Sequence, residues 1–316
     1  MGSEVRRGKA RRAATIFTSA PSDKARRPGA MREGAFALVD CLGFKGIWKR
    51  GGHRTAEELR EYQLRLIKKL RTITKEVPKL VKTGARPYRH FSESVVPGVN
   101  LLSDSVAISL QYDEELPPKG RYKNYLAWLA CETTLKVLDR FRRDNPTLIL
   151  RGCITYGEHI NEGNFIVGPA VDDAFEGMDI GQGAFVWLHP TAADKYQQCI
   201  KTTEATVKKL NGTKDPKQIL LVRDLKRALA KPLVVDPYNM PLKAGGYLRC
   251  PVLNPLAFHR MERAQQEVKR ECLEAISGNQ LDVLLKHQYT ADFLDEAIKA
   301  REDHLSRHAK FIDSLD

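Results

Sequence analysis

The sequence predicts an α/β (α+β) fold, and three observations carry that expectation. Short apolar and β-branched runs alternate with long stretches of helical apolar spacing, the signature of strands packed beneath helices. The run Phe36-Ala37-Leu38-Val39 is apolar on both faces, as a central strand must be, and it ends on a carboxylate, Asp40. Two further short strands, Val99 to Leu102 and Val106 to Leu110, are joined by the tight connection Ser103-Asp104-Ser105, which marks a hairpin.

Length and composition bound the rest. A chain of 316 residues buries a sizeable core and suggests about two domains, or one large domain with appendages. Hydrophobic content of 42% and charged content of 29% are ordinary for a soluble protein. No apolar run approaches the ~20 residues of a membrane span, so no membrane partner is expected. Of the net charge of +13, residues 1–30 contribute +6. The remaining body is modestly basic, which suits a nucleotide triphosphate as well as a nucleic acid. The six cysteines form no CxxC pair and lie mostly in apolar segments, the pattern of reduced, buried thiols in a cytoplasmic protein. His304 and His308 stand at helical spacing without a nearby acidic or Cys partner, which favours a solvated helix face over a zinc site.

In chain order, residues 1–30 are rich in Arg, Ala, Ser and Gly, lack apolar period, and are expected to be a disordered basic tail. The charge of Asp40 at the end of the opening strand is costly unless something cationic meets it, and a metal ion is the simplest candidate. Gly43-Phe44-Lys45-Gly46 then lets backbone N–H groups approach a phosphate, with a Lys alongside. An ordinary strand-end turn is the alternative. Thr55 with Glu58 forms a capping box for a long basic helix whose Leu59, Tyr62, Leu66, Leu70, Ile73 and Val77 recur at helical spacing. After the loop from Pro87 to Gly98 comes the hairpin, with Asp104 at its tip. If the hairpin pairs beside the opening strand, Asp40 and Asp104 end on one sheet edge. Their mutual repulsion is then removed by divalent cations, the arrangement that a two-metal nucleotidyl site needs.

A second long helix is expected from Tyr122 to Arg143, with Leu126, Leu129, Val137 and Phe141 inward, and then a strand from Thr147 to Gly157. Arg151 within that strand must reach a carboxylate, a phosphate or the rim, as a structural ion pair or as a substrate contact. A short strand, Phe165 to Val167, leads through Gly168-Pro169 into a helix from Ala170 to Met178. A strand from Gly183 to Leu188 precedes a helix capped by Thr191. The Lys-rich stretch 201–226 reads as an exposed insertion, and 232–257 as edge strands broken by prolines. Residues 258–316 read as a C-terminal helical extension that packs either on the core or on a partner.

The order strand, helix, hairpin, helix, strand, strand, helix, strand is that of a ferredoxin-like core with additions. On that order the residues resemble the class III adenylyl and guanylyl cyclase catalytic domain, over roughly Phe36 to Pro190. VDCLGF (Val39 to Phe44), LLSDSVAIS (Leu101 to Ser109), LRGCITYGE (Leu150 to Glu158) and VGPAVDDAFEGMD (Val167 to Asp179) carry the likeness. It implies a cyclase domain over 31–257 with a mixed, mainly antiparallel sheet. There are departures. Asp172 and Glu176 stand where purine cyclases carry an Asn and a transition-state Arg, and Asn100 and Phe165 replace the purine-reading Lys and Asp. Among class III relatives the chain is most similar to the pyrimidine cyclases of bacterial Pycsar anti-phage systems.

That resemblance implies synthesis of cyclic UMP or cyclic CMP from UTP or CTP, with UTP favoured, and a separate cyclic-nucleotide-sensing effector. It implies catalytic Asp40 and Asp104 holding two Mg²⁺ or Mn²⁺ ions, with the Cys41 carbonyl as an extra ligand. Amides of Gly43, Phe44 and Lys45 would hold the phosphates. Asn100 and Phe165 would face the base, Asp172 would line the substrate site, and Trp48, Arg50 and Tyr156 are candidates for a second base-choosing group. Composite sites at a homodimer interface are also implied. The rival expectation is a non-catalytic, cyclase-like regulatory or RNA-binding module. Paired carboxylates, which repel polyanions, count against it and against a nucleic-acid partner.

Overall fold

The computed structural model describes residues 30–42, 55–85, 94–102, 105–113, 124–144, 149–162, 165–258 and 281–315. In chain order the elements are β1 (Arg32–Leu42), α1 (Ala56–Gly84), β2 (Val95–Leu102), β3 (Ser105–Tyr112), α2 (Tyr125–Asp144), β4 (Ile149–Glu162) and β5 (Phe165–Val167). They continue with α3 (Pro169–Ile180), β6 (Val186–Leu188), α4 (Pro190–Leu210), α5 (Pro216–Leu229), β7 (Val234–Pro241), β8 (Tyr247–Leu253) and α6 (Leu281–Asp313). The sheet runs β2-β3-β1-β4-β6-β8-β7, with β5 paired to β4. Its first four strands, joined through α1 and α2, have the ferredoxin-like order expected from the sequence. β4 and β6 run parallel. The other strand pairs are antiparallel, so the sheet is mixed and mainly antiparallel.

Alternation along β1 assigns its two faces. Ala35, Ala37 and Val39 join Leu70, Ile73 and Val77 of α1, Leu126 and Leu129 of α2, and Tyr196 and Cys199 of α4 in the main core. Phe36 and Leu38 point the other way, onto Ala170, Val171 and Ala174 of α3. Burying one such side chain contributes roughly 1.5–3 kcal/mol. The capping box forms as expected: Glu58 N–H donates to Thr55 Oγ1 at 3.3 Å and Thr55 N–H to a Glu58 carboxylate oxygen at 2.8 Å. α2 lies between the sheet and α1 and α4, and is buried on every side from Tyr125 to Leu135. Its Glu132 would be a costly buried charge without Lys136 at 2.6 Å and Lys231 at 2.8 Å.

Several expectations are corrected. The stretch 201–226 is not an exposed insertion: it forms the second half of α4 and most of α5, burying Thr203, Val207, Val222 and Leu225. The lysines sit on the outer faces and mask a helical apolar spacing beneath. The cap of α4 is His189, because Pro190 takes the first helical position; Thr191 Oγ1 instead accepts the Tyr156 N–H at 3.1 Å. β7 is an edge strand, with Pro237 and Pro241 in it, but β8 lies inside, between β6 and β7.

α6 packs on the chain's own core. Phe293, Leu294 and Ala297 are buried with Phe185, Trp187 and Val252. Thr290 Oγ1 accepts the Ala184 N–H at 3.1 Å, and Asn254 Nδ2 donates to the Ala297 carbonyl at 3.2 Å. Its far end brings Phe311 against Val207 and Leu225. His304 is half-buried there and donates from Nε2 to the Leu229 carbonyl at 2.8 Å, rather than lying on a solvated face. Among the described residues, Cys131, Cys153, Cys199 and Cys250 are buried thiols outside any disulfide, and no helix is long and apolar enough to cross a membrane.

Candidate active site

Antiparallel pairing sets Asp40, near the end of β1, between Ser105 at the start of β3 and Arg151 near the start of β4. Ser105 Oγ donates to Asp40 Oδ1 at 3.0 Å. Arg151 donates from Nε and Nη2 to Asp40 Oδ2, both at 3.2 Å. The third nitrogen, Nη1, lies 2.9 Å from Asp179 Oδ1 near the end of α3, and Lys243 Nζ meets the same oxygen at 2.9 Å. Charge therefore alternates along a chain of four side chains: Asp40, Arg151, Asp179, Lys243. The Lys243 hydrogen bond, reinforced by the nearby Lys243 and Arg151 charges, holds the Asp179 carboxyl below its usual range. Next to Arg151, Gly152 lets β4 approach β1, since a side chain there would run into the Leu38 carbonyl.

Further along the same face lies a buried polar group. His159 is fully buried; its Nδ1 faces the Gly157 carbonyl at 3.1 Å and its Nε2 faces Ser109 Oγ at 2.8 Å. A carbonyl only accepts, so the proton is assigned to Nδ1, and Nε2 accepts from Ser109. Gln111 Nε2 donates to the His159 carbonyl at 2.6 Å. Burial lowers the His159 pKa from its ordinary 6.5. The unfolded chain therefore takes up this proton before the folded one does. Stability from this group is complete above ~6.5 and is lost as pH falls toward the lowered folded value. Urea titrations at pH 7 and pH 5 are expected to show a smaller pH dependence for His159→Gln than for the parent chain.

The sequence-predicted site residues are placed unevenly. Asn100, on β2 opposite Ala107, lies on the Asp40 face one pleat away, because Ala107 in turn faces Leu38. The Cys41 backbone pairs with Leu150. Asp172 is exposed in the first turn of α3, its N–H bonded to the Gly168 carbonyl at 3.1 Å. β5 folds over this face, with Ile166 beside Phe36 and Leu38, yet Phe165 itself is 73% exposed. Tyr156 lies opposite Ala35 in the helix-side core, on the other face from Asp40, so it is corrected as a base reader. Asp104, Gly43, Phe44, Lys45, Trp48 and Arg50 lie outside the described residues, although Asp104 is the chain neighbour of Ser105. Sequence reasoning missed Asp179, Lys243 and the Ser109–His159 pair. The demand of Arg151 for a carboxylate was the available signal for the first.

The donor chemistry fits a hard divalent cation: Asp40 presents two carboxylate oxygens, and a guanidinium already sits on one of them as a cation would. No group of three metal-ligating side chains occurs among the described residues. A separate cavity of about 250 Å³ between α4, β7 and α6, lined by Tyr196, Asp236, His304 and Phe311, contains neither Asp40 nor Arg151.

No family model matches the chain, and no curated protein does. Solved structures that match include the guanylyl cyclase Cya2, at 14% identity and a TM-score of 0.35, covering 53% of this chain and 80% of that one. At that identity and score the likeness assigns no residue of this chain.

Proposed function

We propose that the chain is a metal-dependent pyrimidine nucleotide cyclase of the cytoplasm, converting UTP, or less readily CTP, to the 3′,5′-cyclic monophosphate and pyrophosphate. The observation that carries this reading is the register that sets Asp40 at a strand end opposite Ser105, whose chain neighbour is a second aspartate, Asp104. Asp40 and Asp104 would hold two Mg²⁺ or Mn²⁺ ions, with the Cys41 carbonyl as a further oxygen. When bound, the two ions supply the positive charge that favours the ribose 3′-alkoxide and offsets the triphosphate. The ribose 3′-hydroxyl releases its proton to solvent, its oxygen attacks the α-phosphorus in line, and the bond from the α-phosphorus to the bridging oxygen of the β-phosphate breaks, so that pyrophosphate leaves. Backbone amides of Gly43, Phe44 and Lys45 orient the phosphates. Asn100 reads the Watson–Crick edge, Phe165 narrows the pocket against purines, and Asp172 and Trp48 line it.

Phe165 at 73%, Val167 at 51% and Phe175 at 44% exposure form apolar surface on β5 and α3, which supports a homodimer with composite sites. Signalling to a separate effector in anti-phage defence follows from the resemblance of the four motifs. One observation favours the rival reading of a non-catalytic module: Asp40 forms an ion pair with Arg151, as a purely structural carboxylate would. Initial rates with UTP, CTP, ATP and GTP under equal Mn²⁺ decide between them. UTP is expected to be the best substrate, with Asn100→Ala losing that preference. A best rate with ATP or GTP overturns the pyrimidine assignment, and no product from any of the four overturns catalysis.

A further inference from the structure

We propose that Arg151 is the counter-ion that a divalent cation displaces from Asp40, the freed guanidinium being retained by Asp179; this rests on Asp40 being a metal ligand. The geometry is that of an exchangeable pair. Arg151 spends two N–H groups on a single oxygen, Asp40 Oδ2, at 3.2 Å each, longer than the 2.7–2.9 Å usual between charged partners. It is not the two-oxygen fork that would lock the carboxylate, because Oδ1 belongs to Ser105. Its contact to Asp179 is the shorter one, 2.9 Å.

Arg151 and Asp40 are 17% and 13% exposed at their side chains, so neither charge can be left bare without cost. Asp179, itself anchored by Lys243, removes that cost for Arg151, and a dication removes it for Asp40. In the metal-free chain the arginine also shields Asp40 from opposing an incoming polyanion. Metal entry and the release of Asp40 by Arg151 are then one exchange, with the guanidinium giving way to a dication. Asp179 acts in it through Arg151.

The test uses the full chain and Mn²⁺ alone, without nucleotide, reading free Mn²⁺ by electron paramagnetic resonance. Arg151→Gln is expected to bind Mn²⁺ about tenfold or more tighter than the parent chain, near the lower end of what close charge pairs couple by. Arg151→Lys, which keeps the competing charge, should bind less tightly than Arg151→Gln. Asp179→Asn should bind more weakly than the parent, because it leaves Arg151 to Asp40 alone, and in an Arg151→Gln background it should change nothing. Unchanged or weaker binding by Arg151→Gln overturns the exchange. So does an Asp179→Asn effect that persists without Arg151. If Arg151→Gln fails to fold, Asp179→Asn decides: parental affinity overturns the proposal and weakened affinity supports it. Asp40→Ala separates the two levels. Parental Mn²⁺ binding in that variant removes the metal reading and this proposal with it, whereas lost binding there with no tightening in Arg151→Gln removes this proposal alone.

Discussion

Asp40→Ala is expected to lower cyclic nucleotide formation by at least about a thousandfold, since no remaining described carboxylate lies in register with Ser105 to take its place. The chain should stay folded. Arg151 loses Asp40 but keeps Asp179 at 2.9 Å, so the penalty of stranding a buried charge, about 3–5 kcal/mol in a fully buried pair, falls well short of its full size. Turnover of UTP with Mn²⁺, read beside the melting temperature, checks both halves. Substantial turnover by the variant would overturn the proposed role of Asp40 as a metal ligand.

The second large effect is structural. Gly168→Val is expected to cost about 3 kcal/mol or more in a urea titration. Gly168 opens α3 with φ at 138°, a conformation that L side chains rarely adopt. A Cβ there would also lie 2.8 Å from the His159 Cα and 2.9 Å from the Glu158 carbonyl, both backbone atoms that cannot turn aside. Gly212→Ala is the contrast: its φ is 77°, but nothing lies within 4 Å of the added carbon. That change should cost only the backbone strain, about 1 kcal/mol. Equal losses at the two positions would show that crowding against β4 does not govern the entry to α3.

What was legible in the sequence was local. β1 announces itself because a strand buried on both faces must be apolar at every position, and the Thr55–Glu58 box because capping needs only four residues. The ferredoxin-like order followed from that succession of elements. Pairings across the sheet were not legible, because register depends on atoms far apart in the chain. Arg151 plainly needed a carboxylate, yet choosing Asp40 and Asp179 required knowing that β4 runs beside β1 and that α3 returns over it. Tyr156 was misassigned for the same reason, since a shift of one residue along a strand moves a side chain to the opposite face. In α4 and α5 the lysines dominated the composition and hid the periodic Thr203, Val207, Val222 and Leu225 beneath them. Whether α6 served the core or a partner depended on where Phe185 and Trp187 lay in space, which no local pattern encodes.

The seat of α6 sets a timetable for the newborn chain. Phe185 and Trp187 wait for Phe293 and Leu294, which leave the ribosome roughly a hundred residues later, on the order of ten seconds at ordinary synthesis rates. Until then Phe185, Trp187 and the Val252 side of β8 lack the cover of α6, and Ala184 N–H lacks the Thr290 hydroxyl. A message cut short before α6 therefore yields a sticky product rather than a smaller working one, and stop codons late in the reading frame should send the protein to the insoluble fraction.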